Sequence, residues 1–220
     1  ITSEYLCDYV YHAQMEPLNA TAFVNAAGDR AEIWCGTQAQ SLTIMAVASV
    51  LDTTTDRIKL NQLLLGGGFG RRAELEPTYV IEAVQLSRQI GKPVKVIWSR
   101  EDDLRNGWFR PATAQLMRAG VNEQGQVVAW SHRMAGPSVL QFYNSRRWSV
   151  TNGRDIVSMH GAGIPSYDIA NIKAEHVLLE RTARLSPWRG VGMGYIKFAV
   201  ESFVDELAEA GGLSPVEIRL

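Results

Sequence analysis

Hydrophobic and polar residues alternate with a period of two along two pairs of segments, and each pair encloses a turn sequence. The segments are 21–24 and 31–34 around Ala-Gly-Asp at 27–29, and 116–121 and 126–135 around Asn-Glu-Gln-Gly at 122–125. Such alternation, interrupted by residues that favour turns, is typical of β-hairpins. The pattern therefore predicts two antiparallel hairpins.

Other apolar patterns predict helices and further strands. We expect helices over 42–51, 75–90 and 196–210, and strands over 57–65, 93–99 and 172–179. Gly91 and Gly211 follow two of these helices, as glycine commonly does at a C-terminal cap. Residues 136–170 show no clear pattern. Helices interleaved with antiparallel hairpins, without a repeat period, predict an α+β fold.

The end of the sequence carries a further helix signal. Ser214, Pro215 and Glu217 have the spacing of a capping box with proline in the first turn. A helix is therefore expected to begin there, only a few residues before the sequence stops. Because the sequence also starts at Ile1 rather than at a methionine, we expect residues 1–220 to be part of a longer polypeptide, truncated at both ends.

Composition and charge exclude several classes of protein. The chain has 22 Lys and Arg against 23 Asp and Glu, a formal charge of -1, which is not the basic footprint of a nucleic-acid-binding protein. No run approaches the roughly 18 apolar residues of a transmembrane helix. Cys7 and Cys35 are too few for a four-cysteine iron–sulfur or zinc site.

One stretch, residues 63–72, combines an apolar run with four glycines, a phenylalanine and two arginines: Leu-Leu-Leu-Gly-Gly-Gly-Phe-Gly-Arg-Arg. Glycine packs nothing, so a cluster of four implies positive φ angles or close backbone approach. A loop of exposed N–H groups beside cations suits an anionic ligand. For Arg71 and Arg72, a role at a phosphate or a partner and an ordinary surface role are about equally supported.

The common nucleotide-binding fingerprints do not fit this loop. A P-loop requires Gly-x4-Gly-Lys-Ser/Thr, which no segment supplies. The dinucleotide pattern Gly-x-Gly-x-x-Gly fails because its third glycine falls on Arg71 when counted from Gly66. Counted from Gly190 in a second glycine-rich segment, it falls on Tyr195. A tight connection remains the simplest alternative, although a turn needs only one or two glycines.

A series of motifs in order along the chain resembles the molybdenum-binding subunit of the xanthine dehydrogenase/aldehyde oxidase family, in its isoquinoline 1-oxidoreductase branch. The motifs are His12 with Met-Glu-Pro at 15–17, Trp-Cys-Gly-Thr-Gln at 34–38, the glycine loop at 66–72, Pro-Val-Lys-Val-Ile-Trp-Ser-Arg-Glu-Asp-Asp at 93–103, Trp-Arg-Gly-Val-Gly at 188–192 and the segment 198–207. The resemblance covers nearly the whole chain and implies a molybdenum-cofactor-binding fold.

The resemblance also implies roles for individual residues around a pterin that carries molybdenum. The side-chain amide of Gln38 would bond an oxygen ligand of the metal, and the backbone of Gly67, Gly68, Phe69 and Gly70 would approach the cofactor. Arg189 and Gly190 would contribute a contact beside the metal. No residue of the chain would ligate the metal directly, because the pterin supplies its sulfur ligands. The cofactor would be molybdopterin or its cytosine dinucleotide form.

Departures from the family pattern limit the expected chemistry. Ala73 stands where the purine-oxidising members carry a glutamate, and Val191 stands where they carry a phenylalanine. The resemblance therefore implies a small N-heteroaromatic or aldehyde substrate rather than xanthine. The family's catalytic glutamate lies in a C-terminal motif that these residues lack. We accordingly expect no catalytic residue here and no turnover by the isolated chain.

The remaining expectations concern partners and alternatives. Electrons would leave through a separate [2Fe-2S] small subunit, and the C-terminal part of the large subunit would complete the pocket. The compartment is left open between cytoplasm and periplasm of a bacterium. An alternative is a non-catalytic scaffold or assembly fragment, inactive alone; another is an unrelated phosphate-binding module, disfavoured by the failed fingerprints. The run at 100–105, Arg-Glu-Asp-Asp-Leu-Arg, is expected to be solvated and self-paired.

Four histidines are spread along the chain without metal-ligand spacing. His12 is expected to orient Glu16 or to pack within the fold. His132, His160 and His176 do not form a cluster with cysteines in the sequence. A zinc ion bound directly by protein side chains is therefore not expected.

Overall fold

A computed structural model describes residues 1–163, 167–180 and 182–220 of the chain. These residues divide into two compact units. Residues 11–108 form one of them, which we call the continuous unit, and residues 1–10 together with 109–220 form the other, the split unit.

Ten strands and six α-helices follow one another along the described parts of the chain. The strands are β1 (Thr2–Cys7), β2 (Val10–Tyr11), β3 (Asn19–Val24), β4 (Ala31–Cys35), β5 (Ile58–Gln62), β6 (Val94–Ile97), β7 (Phe109–Arg110), β8 (Thr113–Val121), β9 (Val127–Gly136) and β10 (Asn171–Leu178). The helices are α1 (Gln40–Val50), α2 (Thr78–Ile90), α3 (Arg100–Asn106), α4 (Val139–Tyr143), α5 (Ser145–Val150) and α6 (Gly192–Gly211). Short 3-10 turns occupy Thr55–Arg57 and Glu217–Arg219.

The continuous unit is a four-stranded sheet of order β5-β4-β3-β6 with α1 and α2 packed on it. Strand β3 pairs antiparallel with β4 and with β6, whereas β5 runs parallel to β4. Alternate residues of β3 are buried, and they meet the apolar faces of the two helices, which include Val47 and Val80. Because β4 and β5 are parallel neighbours, they end at the same edge of the sheet. The glycine loop after β5 therefore begins beside the segment that follows β4.

The split unit has a second four-stranded sheet, of order β1-β8-β9-β10, covered by α6. Strands β8 and β9 form the long hairpin of this sheet, and β10 joins β9 in parallel. Helix α6 buries a stripe of residues at helical spacing. Within that contact the rings of Trp130 and Phe203 meet edge to face at 5.2 Å between centroids.

The structure confirms the α+β prediction, both hairpins and the helix after the first hairpin. Several predicted boundaries differ, among them the following three. Helix α2 begins at Thr78 rather than at residue 75, because the residue before Pro77 is disfavoured in helical conformation. Strand β5 ends at Gln62 rather than at residue 65. Helix α6 begins at Gly192, where a Cβ would come within 2.5 Å of the Val157 carbonyl oxygen.

The capping box at the C-terminal end is present, but the helix it was expected to start is a 3-10 turn. The Ser214 amide donates to Glu217 Oε2 at 2.7 Å, and the Glu217 amide donates to Ser214 Oγ at 3.2 Å.

The unassigned segment 136–170 contains the two short helices α4 and α5, and its described part is organised by Asp155. This buried carboxylate accepts hydrogen bonds from the Ser138 hydroxyl, the Leu140 amide and both the amide and hydroxyl of Ser158. Burial opposes ionisation, but these donors outweigh it and hold the pKa of Asp155 below its usual range. None of the described helices combines the length and apolar composition needed to cross a bilayer.

Candidate functional site

The glycine loop lies between β5 and α2 of the continuous unit and contains an unusual run of backbone conformations. Gly67 has φ 92°, Phe69 has φ 54° and Gly70 has φ 105°. Two successive turns close the segment, with the Arg71 amide donating to the Gly68 carbonyl at 2.9 Å and the Ala73 amide to the Gly70 carbonyl at 3.0 Å. A positive φ at phenylalanine is uncommon and marks a locally strained backbone.

Gln38 lies directly against this loop. Its Oε1 accepts a hydrogen bond from the Gly70 amide at 3.0 Å, and its backbone amide donates to the Arg72 carbonyl at 2.9 Å. A Cβ on Gly68 would lie only 2.3 Å from the same Oε1. Glycine at position 68 therefore makes room for the glutamine. Since Oε1 is used by Gly70, the Nε2 of the exposed Gln38 side chain is the group left to donate to a ligand.

Three successive amides of the loop, at Gly67, Gly68 and Phe69, have no hydrogen-bond acceptor among the described residues. Consecutive backbone N–H groups that converge on one concavity bind anions, so these three amides are candidate donors to a ligand. The structure thus brings together five of the seven residues predicted from the sequence, namely Gln38 and Gly67 to Gly70.

Arg71 and Arg72 are not surface cations available to a phosphate, which corrects the two roles considered from the sequence. Both are buried, with 0% and 2% of their surface exposed. Arg71 pairs with Glu74 and with Asp103, and Arg72 pairs with Glu16. Each arginine is therefore neutralised inside the continuous unit.

Arg72 connects the loop to the two motifs that precede it in the sequence. Its Nη1 donates to the Gly36 carbonyl at 3.0 Å, and its Nη2 donates to the Glu16 carbonyl and to Glu16 Oε2, each at 3.0 Å. Glu16 in turn accepts the Gly66 amide at 2.9 Å. Burial raises the pKa of Glu16, but the Gly66 and Asn19 hydrogen bonds and nearby Arg72 outweigh it, so the pKa lies below its usual range.

The charged run at 100–105 also differs from its prediction. It forms the helix α3, which starts with a capping box between Ser99 and Asp102. Asp103 within it is fully buried and pairs with Arg71, with 3.2 Å between Asp103 Oδ1 and Arg71 Nε. The run was expected to be solvated because charge alone does not reveal a buried partner 32 residues away. Its capping-box spacing could have been recognised from the sequence.

Arg189 and Gly190, the other two predicted site residues, lie in the split unit, just before α6. Both are exposed, and Gly190 has φ 86°. The following residue, Val191, has φ 47°, a conformation that is rare for a β-branched side chain. This second loop therefore also has a strained backbone at a position named by the resemblance.

His12 and His132 each have a side-chain contact within their own unit. His12 is buried and its Nδ1 lies 3.0 Å from the Trp108 carbonyl oxygen, so it packs within the fold, which is one of the two roles expected for it. His132 is fully buried, with Nε2 2.9 Å from Gln115 Oε1. Among the described residues no three His, Cys, Asp or Glu side chains are placed to hold a metal ion.

The two cysteines are free thiols in the structure. Cys35 lies at the end of β4 and is buried, and this burial raises the pKa of its thiol to about 11. At neutral pH it is therefore a protonated, packed side chain rather than a nucleophile or a metal ligand.

Comparison with known proteins identifies the family of this chain. Residues 1–220 match the sequence model of the molybdopterin cofactor-binding domain. The chain is 37% identical over 97% of its length to the beta subunit of isoquinoline 1-oxidoreductase from Brevundimonas diminuta, covering 27% of that protein. It is 30% identical over its full length to a subunit of nicotinate dehydrogenase from Pseudomonas putida, covering 18% of that protein.

The fold comparison agrees with the sequence comparison. The solved structure of quinoline 2-oxidoreductase from Pseudomonas putida 86 matches 100% of this chain and 27% of that chain with a TM-score of 0.77 at 23% identity. The chain thus spans about a quarter, or less, of the length of these relatives. The resemblance inferred from the ordered motifs is confirmed, and the chain belongs to the molybdopterin cofactor-binding domain family.

Proposed function

We propose that this chain is the cofactor-binding part of a molybdenum hydroxylase that oxidises an N-heteroaromatic compound or an aldehyde. The observation that carries the proposal is the contact of Gln38 with the glycine loop. Beside the Nε2 donor of Gln38, the loop has three backbone amides without acceptors among the described residues. These groups fit a cofactor that is rich in oxygen atoms and negative charge. The lack of a metal-ligand cluster among the described residues is compatible with a metal whose ligands come from the cofactor.

The residues of this chain would hold and orient the cofactor. The amides of Gly67, Gly68 and Phe69 and the Nε2 of Gln38 would donate hydrogen bonds, while Gly70 keeps Gln38 in place. Arg189 and Gly190 stay predicted cofactor contacts on the strength of the family resemblance alone. When bound, the cofactor supplies a molybdenum centre that accepts two electrons from the substrate. Donors fixed before the reaction stabilise developing negative charge without reorganisation.

The substrate class rests on the names of the relatives and on one substitution. Isoquinoline, nicotinate and quinoline in those names are all N-heteroaromatic compounds. Ala73 places a methyl group beside the loop where the purine-oxidising members carry a glutamate, so a purine would lack that polar partner. We therefore favour an N-heteroaromatic substrate other than a purine, with an aldehyde as the second choice.

The redox partner and the catalytic base would lie outside these residues. Cys7 and Cys35 cannot ligate an iron–sulfur cluster of the four-cysteine type. We propose a [2Fe-2S] small subunit as electron acceptor and a base in the remaining part of the large subunit. The chain alone would then bind part of a pocket without turning over, which is also what the alternative, a scaffold fragment, predicts.

Cofactor analysis separates these possibilities. Molybdenum by mass spectrometry and pterin by fluorescence should be found at about one each in the full-length protein and at much less in this chain alone. Their absence from both would contradict the proposal. Molybdenum without turnover on any N-heteroaromatic compound or aldehyde would favour the scaffold alternative.

Substitution of Gln38 tests the site itself. Gln38→Ala in the full-length protein should lower turnover roughly 100-fold, the usual effect of removing one preorganised donor, with the fold intact. The matched control is Gln85→Ala on the exposed side of α2, which should turn over as the parent does. Unchanged turnover in Gln38→Ala, with molybdenum retained, would show that Gln38 does not lie near the metal.

A further inference from the structure

Below the glycine loop of the continuous unit, two opposite charges are completely buried. Arg71 and Asp103 are each 0% exposed, and Arg71 Nε lies 3.2 Å from Asp103 Oδ1. The guanidinium of Arg71 also pairs with Glu74 and lies 5.8 Å from the centre of the Trp98 ring. Arg71 follows Gly70 directly, so its backbone is part of the loop.

Asp103 is shared by donors from several segments. The hydroxyl of Tyr11 and the Nε2 of Gln14 both donate to its Oδ2, and Arg100 Nη1 lies 3.7 Å from the same atom. Burial and the contact with Asp103 raise the pKa of Tyr11 to about 12, so it stays a donor. Asp103 thus joins α3, the segment before β3 and the glycine loop at one carboxylate.

Stability alone is a poor explanation for this arrangement. A buried ion pair gives up the hydration of both charges, and an apolar pair of similar volume is often at least as stable. Buried ionic groups are better attested as devices that fix one conformation among several. The loop contains a conformation that needs fixing, because Phe69 has φ 54° and sits between two glycines.

We propose that Arg71 and Asp103 are positioning residues, whose ion pair fixes the backbone after Gly70 so that Phe69 keeps its left-handed conformation and Gly70 stays bonded to Gln38. Arg72 holds the other side of the loop through Glu16 and Gly36, with a separate set of partners. The pair therefore presents the amides of Gly67, Gly68 and Phe69 in one arrangement. That this arrangement serves a cofactor rests on the proposed function; the positioning itself does not.

Hydrogen exchange at single amides tests the positioning on the chain without cofactor. In the wild type the amides of Gly70, Arg71 and Ala73 have acceptors and should be protected. Arg71→Met should make Gly70 and Ala73 exchange at least tenfold faster, while Val84 in α2 changes less than twofold. Arg71→Lys, which keeps the charge but not the forked geometry, should fall between. The control Arg57→Met removes an exposed ion pair with Asp29 and should leave the loop unchanged.

A triple variant separates positioning from stability. Arg71→Met/Glu74→Gln/Asp103→Asn removes all three buried charges and leaves an amide oxygen at position 103 to accept from Tyr11 and Gln14. The midpoint of urea unfolding should therefore recover relative to Arg71→Met, whereas the Gly70 and Ala73 amides should still exchange at least tenfold faster than in the wild type. Loop protection that recovers together with stability, or Arg71→Met without faster loop exchange, would overturn the proposal.

The molybdenum content provides an independent test of whether the ion pair serves a cofactor. In the full-length protein the triple variant should retain less than a fifth of the wild-type molybdenum. If the wild type holds no molybdenum, the proposed function fails, while the exchange rates still decide whether the pair positions the loop. Fast loop exchange with full molybdenum content would show that the pair does not serve a cofactor.

Discussion

The four glycines of the loop meet different physical requirements. Gly67 and Gly70 have positive φ angles, which glycine adopts without a steric cost. Gly68 does not have a positive φ, but the space that its Cβ would occupy is filled by Gln38. A Cβ on Gly66 would similarly lie 2.6 Å from the Cβ of Glu16. The cluster of glycines in the sequence predicts positive φ angles or close backbone contacts. The structure shows which of the two applies to each glycine.

Gly68→Ala should displace Gln38 and break its hydrogen bond with Gly70. Because the displaced atoms belong to the far end of an exposed, flexible side chain, the cost should be that of the lost Gln38–Gly70 hydrogen bond, about 0.5–1.5 kcal/mol, which urea unfolding of the chain would measure. The control Gly163→Ala adds a methyl group where no atom of the described residues, chain neighbours aside, lies within 4 Å, and it should change the free energy of unfolding by less than about 0.5 kcal/mol. A Gly70 amide that exchanges with solvent no faster in Gly68→Ala than in the wild type would contradict the displacement of Gln38.

At the scale of single elements, α3 shows how a polar sequence can be structural. The seven residues Arg100–Asn106 begin with a capping box in which Ser99 accepts the Asp102 amide and Asp102 accepts the Ser99 amide. Acidic residues in the first turn also suit the positive end of the helix dipole. A helix this short is marginal by itself, so capping and the buried Asp103 together keep it folded.

Ser99→Ala removes the cap and should lower the free energy of unfolding by about 1 kcal/mol, since the Asp102 amide loses its acceptor. The control Ser41→Ala lies on an exposed position of α1 and should have a change below about 0.5 kcal/mol. Comparing the two by thermal and urea unfolding checks the cap. A Ser99→Ala chain as stable as the Ser41→Ala chain would mean that α3 does not depend on it.

At the scale of the whole molecule, each unit has its own sheet and its own apolar core. The core of the split unit includes a titratable group, His132, packed below α6 with Gln115. Burial lowers the pKa of His132 to about 4 from its ordinary 6.5. Neutral His132 is thus part of the folded state at physiological pH, and its protonation is coupled to unfolding.

This coupling predicts a pH dependence. Below pH 6.5 the unfolded chain gains a proton at His132 that the folded chain does not bind. The free energy of unfolding should therefore decrease as the pH is lowered from 6.5 to about 4. At pH 5 the loss relative to pH 7.5 should be about 2 kcal/mol. Urea unfolding at both pH values measures it.

Variants isolate the histidine from other groups. His132→Gln should lose this part of the pH dependence, whatever its own stability, because glutamine does not titrate. The exposed His160→Gln should keep the wild-type difference between pH 5 and pH 7.5. If the free energy of unfolding of His132→Gln changed between pH 5 and pH 7.5 as much as that of the wild type, His132 would be excluded as the source of the pH dependence.

By itself the sequence predicted the α+β class, both hairpins, the family and a candidate site made of Gln38 and residues 67–70. These depend on local periodicity, turn chemistry and ordered motifs, which are written along the chain. The tertiary structure decided that Arg71 and Arg72 are buried, and that Asp103 pairs with Arg71 instead of being a solvated charge. The physical reason is that burial of a charge depends on a partner, and these partners, 32 and 56 residues away in the chain, meet only when the sheet and its helices are assembled.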